Sequence, residues 1–177
     1  MLDTEVRVPT DALRYRIDYD TTRSSPDFTL STQTHTQWGV SAGAPRGSLP
    51  AGWVCSYRSP STDCHVLALM TSNYQLPVDQ LGRIPSGTTK GAVTIGHLQG
   101  LTAIAVTSLR MQTSFDNGQT WQPVRVNGVG GGRFEVTFTV PPSSHTNGFG
   151  SLRLSARDAV GGTFQQTIQR AFAVTGA

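Results

Sequence analysis

Sixteen serines, four histidines and eleven acids are enough to assemble a hydrolytic triad on paper, so nucleophilic catalysis is the first chemistry to weigh. No serine sits in a Gly-x-Ser-x-Gly elbow, the sharp turn that presents a hydroxyl to a base. The nearest approach, Gly150-Ser151-Leu152, opens an alternating strand. The histidines His35, His65, His97 and His145 stand singly, flanked by Thr, Val or Gly, and read as strand or loop residues rather than bases. No His-x-x-x-His or His-Glu pair offers zinc ligands. Glu5 and Glu135 are the only glutamates and lie far apart, which leaves a glycosidase acid pair without support, although Asp could substitute. The expectation is a chain with no catalytic residue, no cofactor and no metal.

The sharpest local motif is Ser114-Phe115-Asp116-Asn117-Gly118-Gln119-Thr120-Trp121. Asn117-Gly118 tolerates the positive φ of a tight hairpin. Asp116 can accept hydrogen bonds from turn amides, and Trp121 can bury a ring beside the turn and pin the register. Its form, Ser-x-Asp-x-Gly-x-Thr-Trp, resembles the Asp-box hairpin of sialidase-type propellers and of unrelated β-domains, where the box is structural and sits away from the catalytic site. Propellers repeat the box in several blades. Here it occurs once, so a structural turn built on Ser114, Asp116, Gly118, Thr120 and Trp121 is expected, and sialidase activity is not. Asp158-Ala159-Val160-Gly161-Gly162 reads as a second turn; calcium there would need six to eight oxygens, and few carboxylates lie nearby in sequence.

Cys55 and Cys64 stand nine residues apart across the turn-rich segment Ser56 to Asp63. That spacing fits neither Cys-x-x-Cys nor a four-ligand zinc site. A disulfide closing this loop, and with it an oxidising location, is the favoured reading; two free thiols in a reducing compartment are the alternative. Trp38, Trp53 and Trp121, with four tyrosines, could form a sugar-stacking platform. Trp53, between Gly52 and the cysteine loop, is the best candidate, yet strand aromatics are more often core residues.

The elements that must position these residues are strands. Tyr15, Ile17 and Tyr19 alternate with Arg14, Arg16, Asp18 and Asp20, and Phe134, Val136, Phe138 and Val140 alternate with Glu135, Thr137 and Thr139. Such a period of two marks half-buried strands. Leu109, Met111 and Phe115 share a side with Thr113 as the odd member, Leu152, Leu154 and Ala156 do the same, and 164–174 gives the last strand. Further strands are expected near 4–8, 13–22, 29–40, 53–57 and 65–75. Breakers at 43–52, 127–132, 141–150 and 161–162 separate the runs. The pattern predicts an all-β, immunoglobulin- or fibronectin-like sandwich. It divides into an N-terminal β-domain over 1–85 and a sandwich over 86–177, with 81–90 as linker, or runs as one extended sandwich sharing strands across that point.

Composition narrows the classes further. Hydrophobic residues make up 37% and charged residues 14%, against about 25% charged in an average soluble domain. A disordered chain would carry more charge and fewer aromatics, and no run approaches the ~18 apolar residues of a membrane helix. The net charge of +3 comes from thirteen Arg and Lys90 against eleven acids, scattered along the chain. No basic stripe for nucleic acid follows from that. Met1 to Glu5 holds no apolar stretch of signal-peptide length, which leaves a cytoplasmic start or excision from a longer precursor.

The motifs also fall in a recognisable order. Leu13 to Asp20 comes first, then Thr34-His35-Thr36-Gln37-Trp38, then Leu67-Ala68-Leu69-Met70 leading into Tyr74 to Asp79. Ser114 to Trp121, Ser151 to Asp158 and Gln166 to Phe172 follow. From about residue 13 to 174 the chain resembles the C-terminal region of large secreted bacterial subtilisin-like serine peptidases, downstream of the protease domain. The resemblance implies an extracellular, non-catalytic accessory β-domain whose partner is the upstream protease domain of the same polypeptide, with protein or polysaccharide substrate as a further partner. The catalytic residues of such peptidases lie upstream, so none is carried over to this chain. A carbohydrate-binding module is the alternative function.

Overall fold

Residues that alternate between apolar and polar can bury one face of a sheet while wetting the other, and two such sheets must then close on each other. A computed structural model of the chain describes residues 14–41, 43–44, 46–49, 51–52, 65–99, 101 and 103–175. Within them run eleven strands: β1 (Arg14–Thr22), β2 (Gln33–Ser41), β3 (Met70–Gln75), β4 (Arg83–Pro85), β5 (Gly87–His97), β6 (Val106–Ser114), β7 (Gln122–Pro123), β8 (Arg125–Gly130), β9 (Arg133–Val140), β10 (Phe149–Asp158) and β11 (Thr163–Thr175). One 3-10 turn, Ser143–His145, is the sole helical element among the described residues. The strands at 4–8 and 53–57, the Cys55–Cys64 disulfide and the Trp53 platform lie outside the described residues.

Two sheets result. One has the order β1-β2-β11-β10-β6-β7, with short β4 added in parallel to the end of β11; the other has the order β3-β5-β9-β8. Every pairing except β4–β11 is antiparallel. The chain is a β-sandwich. Its core takes alternate residues from both inner faces: Leu109, Met111, Leu152, Leu154, Phe164 and Phe172 from one sheet, Val93, Ile95, Val136, Phe138 and Val140 from the other. Phe138 and Phe172 meet across the gap with ring centroids 6.0 Å apart. Trp38 packs on Phe164 at 5.9 Å and sends its indole N–H across the sandwich to the Met70 carbonyl at 2.7 Å.

The inner faces also hold a polar bridge. The Gln166 side-chain oxygen accepts from Ser72 and Tyr74 hydroxyls, each at 2.9 Å, while its amide donates to Thr36 at 3.1 Å. β3 of one sheet is thereby tied to β11 and β2 of the other. Burial raises the Tyr74 phenol above its ordinary range, partly offset by Ser72.

Two expectations need correction. The stretch 81–90, read as a linker for its Pro, Gly and lack of aromatics, instead supplies β4 and the start of β5, with Ile84 1% exposed. Each sheet draws strands from both sides of residue 85: β2, with β1 on its other edge, lies on β11, and β3 lies on β5. The glycine run 127–132 is likewise less of a breaker than its composition suggests. β8 continues to Gly130, and only Gly131 and Gly132, at φ 60° and 73°, make the turn into β9.

Candidate functional site

The Asp-box segment joins β6 to β7. It starts on the last residue of β6, Ser114, which is 1% exposed. The Ser114 hydroxyl donates to Asp116 Oδ1 at 2.7 Å and accepts the Gly118 N–H at 2.8 Å. Asp116 accepts the Thr120 N–H on both oxygens, at 2.9 and 3.0 Å, and the Thr120 hydroxyl as well. Asn117 and Gly118 take φ 58° and 85°, the left-handed conformations that make Gly, and next Asn, the residues of choice here. The Trp121 indole N–H closes the loop on the Gly118 carbonyl at 3.0 Å. Ser114, Asp116, Gly118, Thr120 and Trp121 are therefore brought together as one turn.

The same bonds fix the chemistry of the turn. The Thr120 hydroxyl and N–H, with the Ser114 hydroxyl, hold the Asp116 carboxyl down to about 2, against an ordinary value of 3.8. A carboxylate so weakly basic draws few protons at neutral pH. Ser114 already gives its proton to that carboxylate and receives an amide, so the pair closes a turn and activates no nucleophile.

Next to the turn, β11 carries a wide bulge. Gly150 faces Phe172 and Leu152 faces Ile168, so the single Ser151 of β10 stands against Gln169, Arg170 and Ala171. Arg170 takes φ 55°, unusual for a side chain with a Cβ. Its conformation is held from several sides. Its N–H donates to Ser151 Oγ at 3.0 Å, and its carbonyl accepts the Ser31 N–H at 2.8 Å. Its guanidinium lies 4.6 Å from the Phe149 ring centroid and reaches Asn117 of the turn at 3.3 Å. Ser151 Oγ in turn donates to Gln169 at 2.9 Å. Bulge and Asp-box turn form one interlocked end of the sandwich.

A second polar pair was not legible in the sequence. His97, at the end of β5, sets Nε2 3.1 Å from Asp158 Oδ2, and both side chains are buried. Asp158 Oδ1 meanwhile accepts the N–H groups of Val160 and Gly162 at 3.0 and 2.6 Å, as the turn reading of 158–162 expects. Among the described residues no hydroxyl is hydrogen-bonded to His97, and no group of three His, Cys, Asp or Glu gathers that could hold a metal ion.

The outer face of the larger sheet is broad and polar. One row crosses six strands as Asp20, His35, Thr167, Arg153, Gln112 and Pro123. The next runs Asp18, Gln37, Gln165, Ser155 and Arg110. Hydrogen bonds follow these rows: His35 to Asp20 at 2.7 Å, Gln37 to Asp18 at 2.9 Å, and Arg153 to Gln112 at 2.7 Å. β1 brings Arg14 and Arg16 as well as Asp18 and Asp20 to this face, and β6 and β10 add Arg110 and Arg153, so charges of both signs are spread across it. Arg153 lies over Trp121, 4.4 Å from the ring centroid. Of the three tryptophans weighed as a sugar platform, Trp38 is thus tied into the core and Trp121 lies beneath Arg153.

No family model matches this chain, and no curated protein matches it. No helix among the described residues is long and apolar enough to cross a membrane.

Proposed function

We propose that this chain is a non-catalytic, immunoglobulin-like accessory module of a secreted subtilisin-like serine peptidase, acting by docking on the protease domain or on its protein substrate. The observation that carries the reading is how the chain uses its polar groups. The one hydroxyl–carboxylate pair singled out by the sequence, Ser114 and Asp116, saturates a turn. Other polar residues of the larger sheet spread over a broad outer face, and those turned inward, such as Gln166, Thr36 and Asp158, are taken up by bonds across the sandwich and within a turn. Turnover needs groups converging on a reacting atom; a broad face carrying exposed charges of both signs suits contact with another macromolecule. The peptidase assignment rests on the ordered motifs from Leu13 to Phe172 that resemble the C-terminal region of those enzymes.

An antibody raised against the chain tests this directly. From the medium of the producing cells it should recover a polypeptide well above 18.9 kDa that reacts with a fluorophosphonate serine-hydrolase probe, while the isolated chain should not react. Covalent labelling of the isolated chain, or its recovery from the cytosol unattached to any peptidase domain, would overturn the reading.

A further inference from the structure

β1 ends the larger sheet. Among the described residues no strand is paired with its outer edge, while its inner edge is bonded to β2 along nine residues. An edge strand of that length, about 30 Å, presents a row of main-chain donors and acceptors to whatever can pair with it. Proteins commonly protect such edges with charge of one sign, which repels a second copy. The charges on β1 are arranged in the opposite sense. Its sequence, Arg14-Tyr15-Arg16-Ile17-Asp18-Tyr19-Asp20, carries arginines before Ile17 and aspartates after it at mirrored positions.

Antiparallel self-pairing reverses one copy against the other. Centred on Ile17, it sets Arg14 opposite Asp20, Arg16 opposite Asp18, Tyr15 opposite Tyr19 and Ile17 opposite itself. The two-fold axis then runs perpendicular to the sheet, so charged residues stay on the outer face of both copies and Tyr and Ile on the inner face of both. Other registers fail. A shift of two residues puts Asp18 against Asp18 or Arg16 against Arg16, and a shift of one sets inner residues against outer ones. We propose that two copies of this chain join edge to edge through β1 in this register, making one continuous sheet across the dimer with four Arg–Asp pairs on its outer face.

The charged groups have capacity for it. Arg16, 68% exposed, uses two of its five N–H donors on Asp18 of its own strand, through Nε at 2.8 Å and Nη2 at 3.0 Å. Its other donors can reach Asp18 of the second copy, so that two guanidinium and two carboxylate groups alternate around the axis. Asp20, 72% exposed, gives Oδ1 to His35 and, among the described residues, leaves Oδ2 for Arg14 of the second copy. Tyr19, 56% exposed, is a large side chain that the pairing would cover.

Two paired charge variants of the full chain test the proposal. Sedimentation equilibrium of the wild type, up to about 1 mM, should show a species of twice 18.9 kDa. The variant R14D/R16D places acid against acid, and D18R/D20R places arginine against arginine, so each should dissociate at least about tenfold more readily than the wild type. Mixed one to one, the two variants should form a heterodimer, because every mirrored position again pairs opposite charges. That recovery also shows that both variants are folded. A wild type that stays monomeric, variants that dimerise as well as the wild type, or a mixture that gains no dimer would each overturn the proposal.

Discussion

The residue scale is where the chemistry of this chain is most sharply defined. Asp116 spends its carboxylate on Thr120 and Ser114, and those bonds hold it at about 2. A carboxyl whose pKa falls on folding binds its proton more weakly in the native state than in the unfolded chain. Its charge therefore stabilises the fold above the ordinary value near 3.8, and that contribution disappears as pH drops through about 2. Thermal melts of wild type and Asp116→Asn should differ at neutral pH, in favour of the wild type, and converge over the interval from about pH 4 to pH 2. A carboxyl-carbon NMR titration of Asp116 with its midpoint near 4 would show that the turn amides do not hold the charge. The turn itself was readable, since all its partners fall within eight consecutive residues. The Asp158–His97 pair was not: the sequence marks Asp158 as a turn former, but His97 lies 61 residues away and carries no local sign of its partner.

At the scale of elements, the bulge in β11 is the feature that alternation alone misses. The run Phe164 to Val174 reads as one strand, and it is one, but three of its residues stand against the single Ser151. The Ser151 hydroxyl accepts the Arg170 N–H and donates to Gln169, which holds Arg170 in its left-handed conformation. Ser151→Ala leaves that N–H without its acceptor and should destabilise the protein by about 1 to 3 kcal/mol, read as a lower denaturant midpoint. Because the bulge touches the Asp-box turn through Arg170 and Asn117, the amides of Gly118 and Thr120 should also exchange faster in this variant. Unchanged exchange there would mean that bulge and turn are independent. The same alternation did locate β1, β6, β9 and β10, and on the last three a buried face fixes which residues turn inward.

For the whole molecule, the energetics rest on the two inner faces and on strands contributed from distant parts of the chain. Phe138, 5% exposed, packs across the sandwich on Phe172. Phe138→Ala should cost about 3 to 5 kcal/mol, a Tm drop of roughly 6 to 20 °C for a chain of this size. A shift under about one degree would place the ring outside the core. The melt of the wild type should show one transition, since β2 and β11, and β3 and β5, bind the two sides of residue 85 to each other. Two resolved transitions would mean that the halves fold separately.

The sequence on its own determined the period of two, hence strands with one buried face, and the Asp-box turn, because both depend only on neighbours a few residues away. Which strand lies beside which was decided in three dimensions. Nothing in the composition of 81–90 signals that Ile84 fits under the end of β11, and nothing near Trp121 announces that Arg153 will cover it. Such contacts join residues brought together by sheet register, and register is a property of the assembled sandwich: it is set where both inner faces can be filled at once.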